Sequence, residues 1–303
     1  MIRILGTVLA GLLGLLFGSF LNVCASRWPK DESVIRPCSH CRQCGRPLAF
    51  WENIPVLSWL ALRGRCRTCN AWIGCRYPLV EVSVAALWAC SMWLTLGWIG
   101  GLHTPNVVYL AWVHLVDGAG RVVFLWLLVA LAVFDTENLW LPDRLIWPGV
   151  ALGLALGVAR ETFDSFVQMH GDFDVWKHQV AGAVATWFLG AVIPAAGLFL
   201  IRILYFVVRR KEGIGIGDVK LLAMIGGWLG GKLAVISFGF AVILGALVGL
   251  VLLMRPSKGA KDEPWGARRL PLGTFLCLGA MICAFWSGPL MTAYEKWFGW
   301  LGF

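Results

Sequence analysis

Gly213-Ile214-Gly215-Ile216-Gly217-Asp218-Val219-Lys220 opens an apolar segment that runs from Leu221 to Trp228. Three glycines at alternate positions cost backbone entropy, so they mark a tight turn or a place where another backbone comes close. An aspartate at the head of a membrane-type segment is expensive in hydrocarbon and is a functional candidate by default. On this stretch alone, a loop with an N-capping Asp is an equal reading. The choice depends on whether the rest of the chain supplies Asp218 with a partner.

Of 303 residues, 59% are hydrophobic and 14% charged, which excludes an ordinary soluble domain. The 18 tryptophans suit membrane–water interfaces. A net charge of +9 would point to nucleic acid in a soluble protein. Here the basic residues fall in a few loops and instead orient the chain in lipid, so no nucleic-acid partner is expected. The composition predicts an all-α polytopic membrane protein. Met1-Ile2-Arg3 and the apolar run to Val23 are read as a retained helix rather than a signal peptide, because the run is long enough to span.

Eight spans are expected: Leu5 to Cys24, Pro78 to Trp98, Val122 to Phe134, Leu145 to Val158, Val180 to Val208 with Pro194 inside, a short segment from Asp218 to the Gly230-Gly231 break, Leu233 to Met254, and Leu270 to Trp286. Gly100 to Gly120 reads as a weakly apolar connection with room for an interfacial helix, and 160–178 as a polar insert. The tail of Trp297, Trp300 and Phe303 suits the interface. The first loop is rich in arginine from Arg27 to Arg76, and Arg209 to Lys211 and Arg255 to Arg269 are basic too. Gly100 to Gly120 has no Lys or Arg, and 160–178 leans acidic. With eight spans every basic loop falls on one side, the cytoplasm. Asp135 then ends a span running towards that side and Asp218 begins one running away from it. Two carboxylates on one low-dielectric rim share a proton, so one can activate water while the other protonates a departing amide. Asp143 and Glu81 map to the same rim, Asp143 looking also like an N-cap, and spacing does not rank these acids.

Cys41-x-x-Cys44 and Cys66-x-x-Cys69, separated by twenty-one residues, have the two-knuckle spacing of a tetrahedral zinc site. A polar loop of this length lacks a core, and metal binding can supply its folding energy. Two disulfides are the competing reading, which a reducing cytoplasm disfavours. Cys38 repeats the spacing and His40 adjoins Cys41, so both compete as ligands, and Cys75 is a spare thiol. Cys24, Cys90, Cys277 and Cys283 read as apolar packing residues. Ser19 and Asn22 read as makers of interhelical hydrogen bonds.

Gly18-Ser19-Phe20-Leu21-Asn22-Val23, the paired cysteine loop, Asn53-Ile54-Pro55, Leu57-Ser58-Trp59, Arg63-Gly64-Arg65-Cys66, Arg76-Tyr77-Pro78-Leu79-Val80-Glu81, Asp135 to Leu141-Pro142-Asp143, Gly213 to Lys220 and Pro271-Leu272-Gly273 follow one another along nearly the whole chain. In that order they resemble the bacterial type IV prepilin peptidases, the leader peptidase/N-methyltransferases of pilus assembly and type II secretion. The resemblance implies a GxGD intramembrane aspartyl protease of the inner membrane. Its acids are Asp218, supported by Gly215 and Gly217, and Asp135 rather than Asp143. It implies cleavage of prepilin or pseudopilin leaders after a glycine at the cytoplasmic face, N-methylation of the new N-terminus from S-adenosylmethionine, and zinc on Cys41, Cys44, Cys66 and Cys69. The domains would be a first transmembrane helix (1–26), a cytoplasmic zinc loop (27–77) and a transmembrane peptidase core (78–303). Thr274 stands where the family often has proline, and Phe134 where isoleucine is common; the stretches 100–120 and 160–178 are longer than expected. No residue independently signals a methyl-donor site. A peptidase without methyl transfer and a non-catalytic zinc-loop adaptor are the alternatives.

Overall fold

The computed structural model describes residues 1–101, 107–168, 173–211, 213–254 and 270–300. The basic stretch 255–269, parts of the stretches 100–120 and 160–178, and the terminal Phe303 lie outside the described residues. The described residues form helices α1 (Ile2–Arg27), α2 (Leu57–Ala61), α3 (Arg76–Gly100), α4 (Val107–Asn138), α5 (Asp143–Gln168), α6 (Phe173–Arg209), α7 (Ile216–Leu229), α8 (Gly231–Met254), α9 (Leu272–Phe285) and α10 (Ser287–Trp300). They divide into two compact units, Met1–Ala130 and Leu131–Phe303.

In the first unit α1 packs along α3. Gly14 and Gly18, four residues apart, let the backbones meet: a Cβ at either would lie 2.7 Å from the Cα of Ala85 or Glu81. Small residues at this spacing are how membrane helices gain van der Waals contact where the hydrophobic effect gives no drive. Phe17 stacks obliquely on Trp88 at 5.0 Å between ring centres, and Trp126 Nε1 donates to the Phe17 carbonyl at 3.2 Å.

In the second unit the short helix α7 touches α5, α6, α8 and α9. Leu221, Leu222, Met224 and Ile225 of α7 are all buried. The short segment expected from Asp218 to the Gly230-Gly231 break is therefore the centre of a bundle. The apolar residues of α6 and α8 point outwards instead, with Leu200, Leu204, Val242, Ile243 and Leu250 exposed, as a lipid-facing surface requires.

Among the described residues, five helical stretches are long and apolar enough to cross a membrane: Ile2–Lys30, Arg76–Gly100, Leu110–Asn138, Trp176–Arg209 and Gly231–Leu252. α9 and the first part of α10, bent by 92°, make a sixth if taken as one broken span. Of the eight expected spans, the segments at α5 and α7 are not among these stretches. α5 carries Arg160, Glu161 and Asp164 in its second half. α7 has 14 residues, about 21 Å of helix against a hydrocarbon core of about 30 Å. Several boundaries differ as well. Residues 107–120, read as a connection, are the first half of α4. Most of 160–178 extends α5 and α6. Pro194 sits inside α6 without ending it.

Candidate active site and metal centre

Asp135 lies near the end of α4, where the helix stops at Asn138. Its side chain is 6% exposed. The start of α9 holds it: the Thr274 backbone N–H donates to Asp135 Oδ2 at 2.6 Å, and the Thr274 hydroxyl lies 3.1 Å from the same oxygen. That hydroxyl also lies 3.2 Å from the Ala132 carbonyl and 2.9 Å from Thr136 Oγ1, so its single proton is shared among acceptors.

Asp218 occupies the first turn of α7 and is 8% exposed. The Gly215 N–H reaches its Oδ2 at 3.2 Å, a longer and weaker contact than the Thr274 one. The Gly213–Gly215 stretch is anchored from α6 by Arg202 Nε, which donates to the Ile214 carbonyl at 2.9 Å. Gly215 has φ −73°, so left-handed backbone does not explain the glycine here. Close packing explains its neighbour. A Cβ on Gly217 would meet Leu141 Cδ1 at 3.2 Å, and one on Gly273 would meet the same methyl at 3.1 Å and Asp135 Oδ2 at 2.9 Å. Leu141 is thus wedged between the glycine beside Asp218 and the glycine beside Asp135. The two carboxylates are near enough to feel each other's charge, and both face the buried Cys277 of α9 electrostatically.

The rival acids are otherwise engaged. Asp143 opens α5 and pairs with Lys220 Nζ at 2.8 and 2.9 Å, its side chain 54% exposed. Glu81 belongs to the other unit. Thr274, Gly273 and Leu141 had drawn no chemical role from the sequence, although Pro271-Leu272-Gly273 and Leu141-Pro142 stood among its motifs. Nothing in one sequence brings α9 onto the end of α4.

The first unit carries the two Cys-x-x-Cys motifs. Each Cys-x-x-Cys forms the same tight loop. The Cys41 N–H donates to the Arg46 carbonyl at 2.8 Å and the Gly45 N–H to the Cys41 carbonyl at 2.9 Å. Cys66 with Ala71, and Asn70 with Cys66, repeat the pattern at 2.9 and 3.0 Å. Gly45 and Asn70 hold equivalent positive-φ positions, at 70° and 56°, which Gly and Asn tolerate best. The four Sγ atoms lie within 4.8 Å of one another, and this group could hold a metal ion. The Cys41–Cys69 Sγ separation is 3.8 Å, about the edge of a tetrahedron with 2.3 Å metal–sulfur bonds. Backbone N–H groups of Cys69 and Thr68 pull the Cys66 thiol down to about 6, whereas burial and the neighbouring thiols hold Cys69 up at about 11, so the thiolate a metal needs forms first at Cys66. Neither Cys38 nor His40 belongs to this group; His40 Nδ1 lies 3.0 Å from the Cys38 carbonyl. Asn22 does join α1 to α3, donating from Nδ2 to the Tyr77 carbonyl at 3.0 Å. Cys24, Cys277 and Cys283 are buried as packing residues, whereas Cys90 is exposed on the outer face of α3.

Residues 12–95 match the model of the bacterial peptidase A24 N-terminal domain. Residues 122–250 match that of the type IV leader peptidase family. A prepilin leader peptidase/N-methyltransferase of Pseudomonas putida is 33% identical over 96% of this chain and 94% of its own. One of the same description from Myxococcus xanthus is 35% identical over 84% and 67%, and one from Neisseria gonorrhoeae is 31% identical over 83% of each. No solved structure matches the chain. With both domain models in order and relatives above 30% identity along nearly its whole length, the chain belongs to the type IV leader peptidase family.

Proposed function

We propose that this chain is a membrane-embedded aspartyl endopeptidase. It removes the leaders of type IV prepilins or pseudopilins at the cytoplasmic face of the inner membrane and methylates the new N-terminus from S-adenosylmethionine. The observation that carries the peptidase is the pair Asp135 and Asp218: both less than a tenth exposed, flanking the same Leu141 side chain through Gly273 and Gly217, with Asp135 already gripped by Thr274.

Two carboxylates that feel each other's charge in a low-dielectric site share one proton. The two donors on Asp135 Oδ2 favour its ionised form and leave the shared proton on Asp218. Asp135 then takes a proton from water as the water oxygen bonds to the scissile carbonyl carbon. Asp218 gives its proton to the amide nitrogen as the C–N bond breaks. The pair ends with one proton between them, as it began. Gly215 supports Asp218 through its N–H, and Gly217 lets Leu141 close in beside it.

Cys41, Cys44, Cys66 and Cys69 suit zinc by donor type, number and spacing. Four protein thiolates leave no open coordination position, so this zinc would be structural, supplying folding energy to a loop with little core of its own. A non-catalytic adaptor built on the cysteine loop leaves the two buried acids without a purpose.

The test is purified protein incubated with full-length prepilin and S-adenosylmethionine, with the product N-terminus read by mass spectrometry. The expected product starts after the leader glycine and carries one added methyl group. Intact prepilin after prolonged incubation would sink the peptidase reading.

A further inference from the structure

Several motifs of the first unit have no part in peptide hydrolysis, and they converge on one place. Ser19 and Asn22 of α1, Tyr77 and Glu81 of α3, Glu52 and Trp59 all line a cavity of about 610 Å³ roofed by the cysteine knuckles. That volume falls within the range of cofactor sites, about 300–1,000 Å³.

The floor is polar and buried. Glu81, 6% exposed, accepts the Val56 N–H at 2.7 Å, and Ser19 and Asn22 line the cavity with it. Asn22 is 2% exposed, and its Oδ1 is a buried acceptor with no hydrogen-bond partner. Unsatisfied buried acceptors are rare and call for an explanation. Val56, a β-branched residue, is held at φ 60°, and such strain clusters at ligand sites. The wall is aromatic. Trp59 and Trp72 meet edge to face with ring centres 6.0 Å apart, and Trp59 is fixed by its Nε1 donating to the Ile73 carbonyl at 3.0 Å.

Of the basic residues that also line the cavity, Arg46 is paired with Glu52 and Arg27 and Arg42 donate to backbone carbonyls, so the acceptor oxygens of the floor and the indole faces beside them suit the cationic end of a ligand that carries a flat heteroaromatic ring. We propose that this cavity is the methyl-donor site, with Glu81 and Asn22 Oδ1 facing the cationic end of S-adenosylmethionine and Trp59 and Trp72 receiving its adenine. The inference rests on the methyltransferase half of the function proposed above. When bound, the donor supplies a sulfonium methyl to the substrate's amine nitrogen, the N–C bond forming as the S–C bond breaks and sulfur leaving as a neutral thioether. Glu81 accepts the proton that the N-terminal ammonium must lose to become a nucleophile. Asn22 Oδ1 accepts a hydrogen bond from that nitrogen and gains the partner it lacks.

The full-length wild-type protein, irradiated with methyl-labelled S-adenosylmethionine and digested, should carry label on peptides containing Trp59, Trp72 or Tyr77. By calorimetry, Glu81→Gln and Trp72→Ala should bind S-adenosylmethionine at least tenfold more weakly than wild type, at unchanged zinc content. Label confined to Leu131–Phe303, or wild-type affinity in both variants, would overturn the site while leaving the methyltransferase reading intact. A wild-type protein that cleaves prepilin yet neither binds the donor nor methylates the product would overturn that reading itself. Should a variant lose its zinc, the position of the label on the wild-type protein decides.

Discussion

Replacing Thr274 with valine probes the link between α9 and the carboxylate pair at a single atom. Valine keeps the shape and the backbone N–H that lies 2.6 Å from Asp135 Oδ2, and removes only the hydroxyl 3.1 Å from the same oxygen. A hydrogen bond to a charged group contributes about 1.5–3 kcal/mol. Because the proton is shared with the Ala132 carbonyl and Thr136 Oγ1, the low end applies, corresponding to a fall in kcat of roughly tenfold. A hydroxyl whose contacts are to Asp135, Ala132 and Thr136 acts through the carboxylate, so KM should stay within about twofold, the difference being one of transition-state stabilisation alone. Thr274→Ser restores the hydroxyl without the methyl group and should recover most of the rate. The assay is leader cleavage by purified variants under steady-state conditions, with thermal unfolding as a control. A Val variant with wild-type kcat, or one whose loss appears equally in the Ser variant, would refute the assignment of Thr274 as the group that positions Asp135.

Other outcomes follow from the same contacts. Gly273→Ala places a Cβ 2.9 Å from Asp135 Oδ2 and 3.1 Å from Leu141 Cδ1; the carboxylate must shift, and cleavage should fall by about 10²-fold, measured at saturating substrate. Cys66→Ser should abolish stoichiometric zinc by metal analysis, whereas Cys38→Ser and Cys75→Ser should leave it unchanged. Asp143→Asn breaks a half-exposed ion pair with Lys220, worth about 1 kcal/mol at most, so cleavage should stay within about threefold of wild type.

Much of this architecture is legible in the sequence because a membrane leaves few choices. A long apolar run such as Leu233 to Met254 can only be a helix, since its backbone polar groups find no other partners in lipid. The cysteine spacing is equally direct: two tight loops, each bearing two thiols, need only meet, and Cys41, Cys44, Cys66 and Cys69 do so. Helix ends are less legible. The polar residues after Val158 and before Val180 mark where the lipid stops, not where hydrogen bonding stops, so α5 and α6 run on past them. The centrality of α7 is hidden for a similar reason, because an apolar segment reads the same whether lipid or other helices surround it. At the carboxylates, topology alone puts Asp135 and Asp218 on one rim, but it leaves Asp143 beside them. The Lys220 contact that occupies Asp143 joins α5 to α7, and the Thr274 contact that grips Asp135 joins α9 to α4. Both are tertiary facts that no local pattern encodes. Thr274 enters the sequence reading only as a departure from a common proline, a residue that has no N–H to donate.

The central claim is that Asp135 and Asp218 act as one proton-sharing pair. The most direct measurement is the cleavage rate of purified Asp135→Asn, Asp218→Asn and the double variant on a full-length prepilin, with each variant shown to be folded. Residues that act as a unit are not additive. Each single substitution should therefore lower the rate by at least about 10³-fold, and the double variant should fall little further. A single variant that still cleaves at a rate near wild type, or losses that multiply in the double variant, would contradict the account.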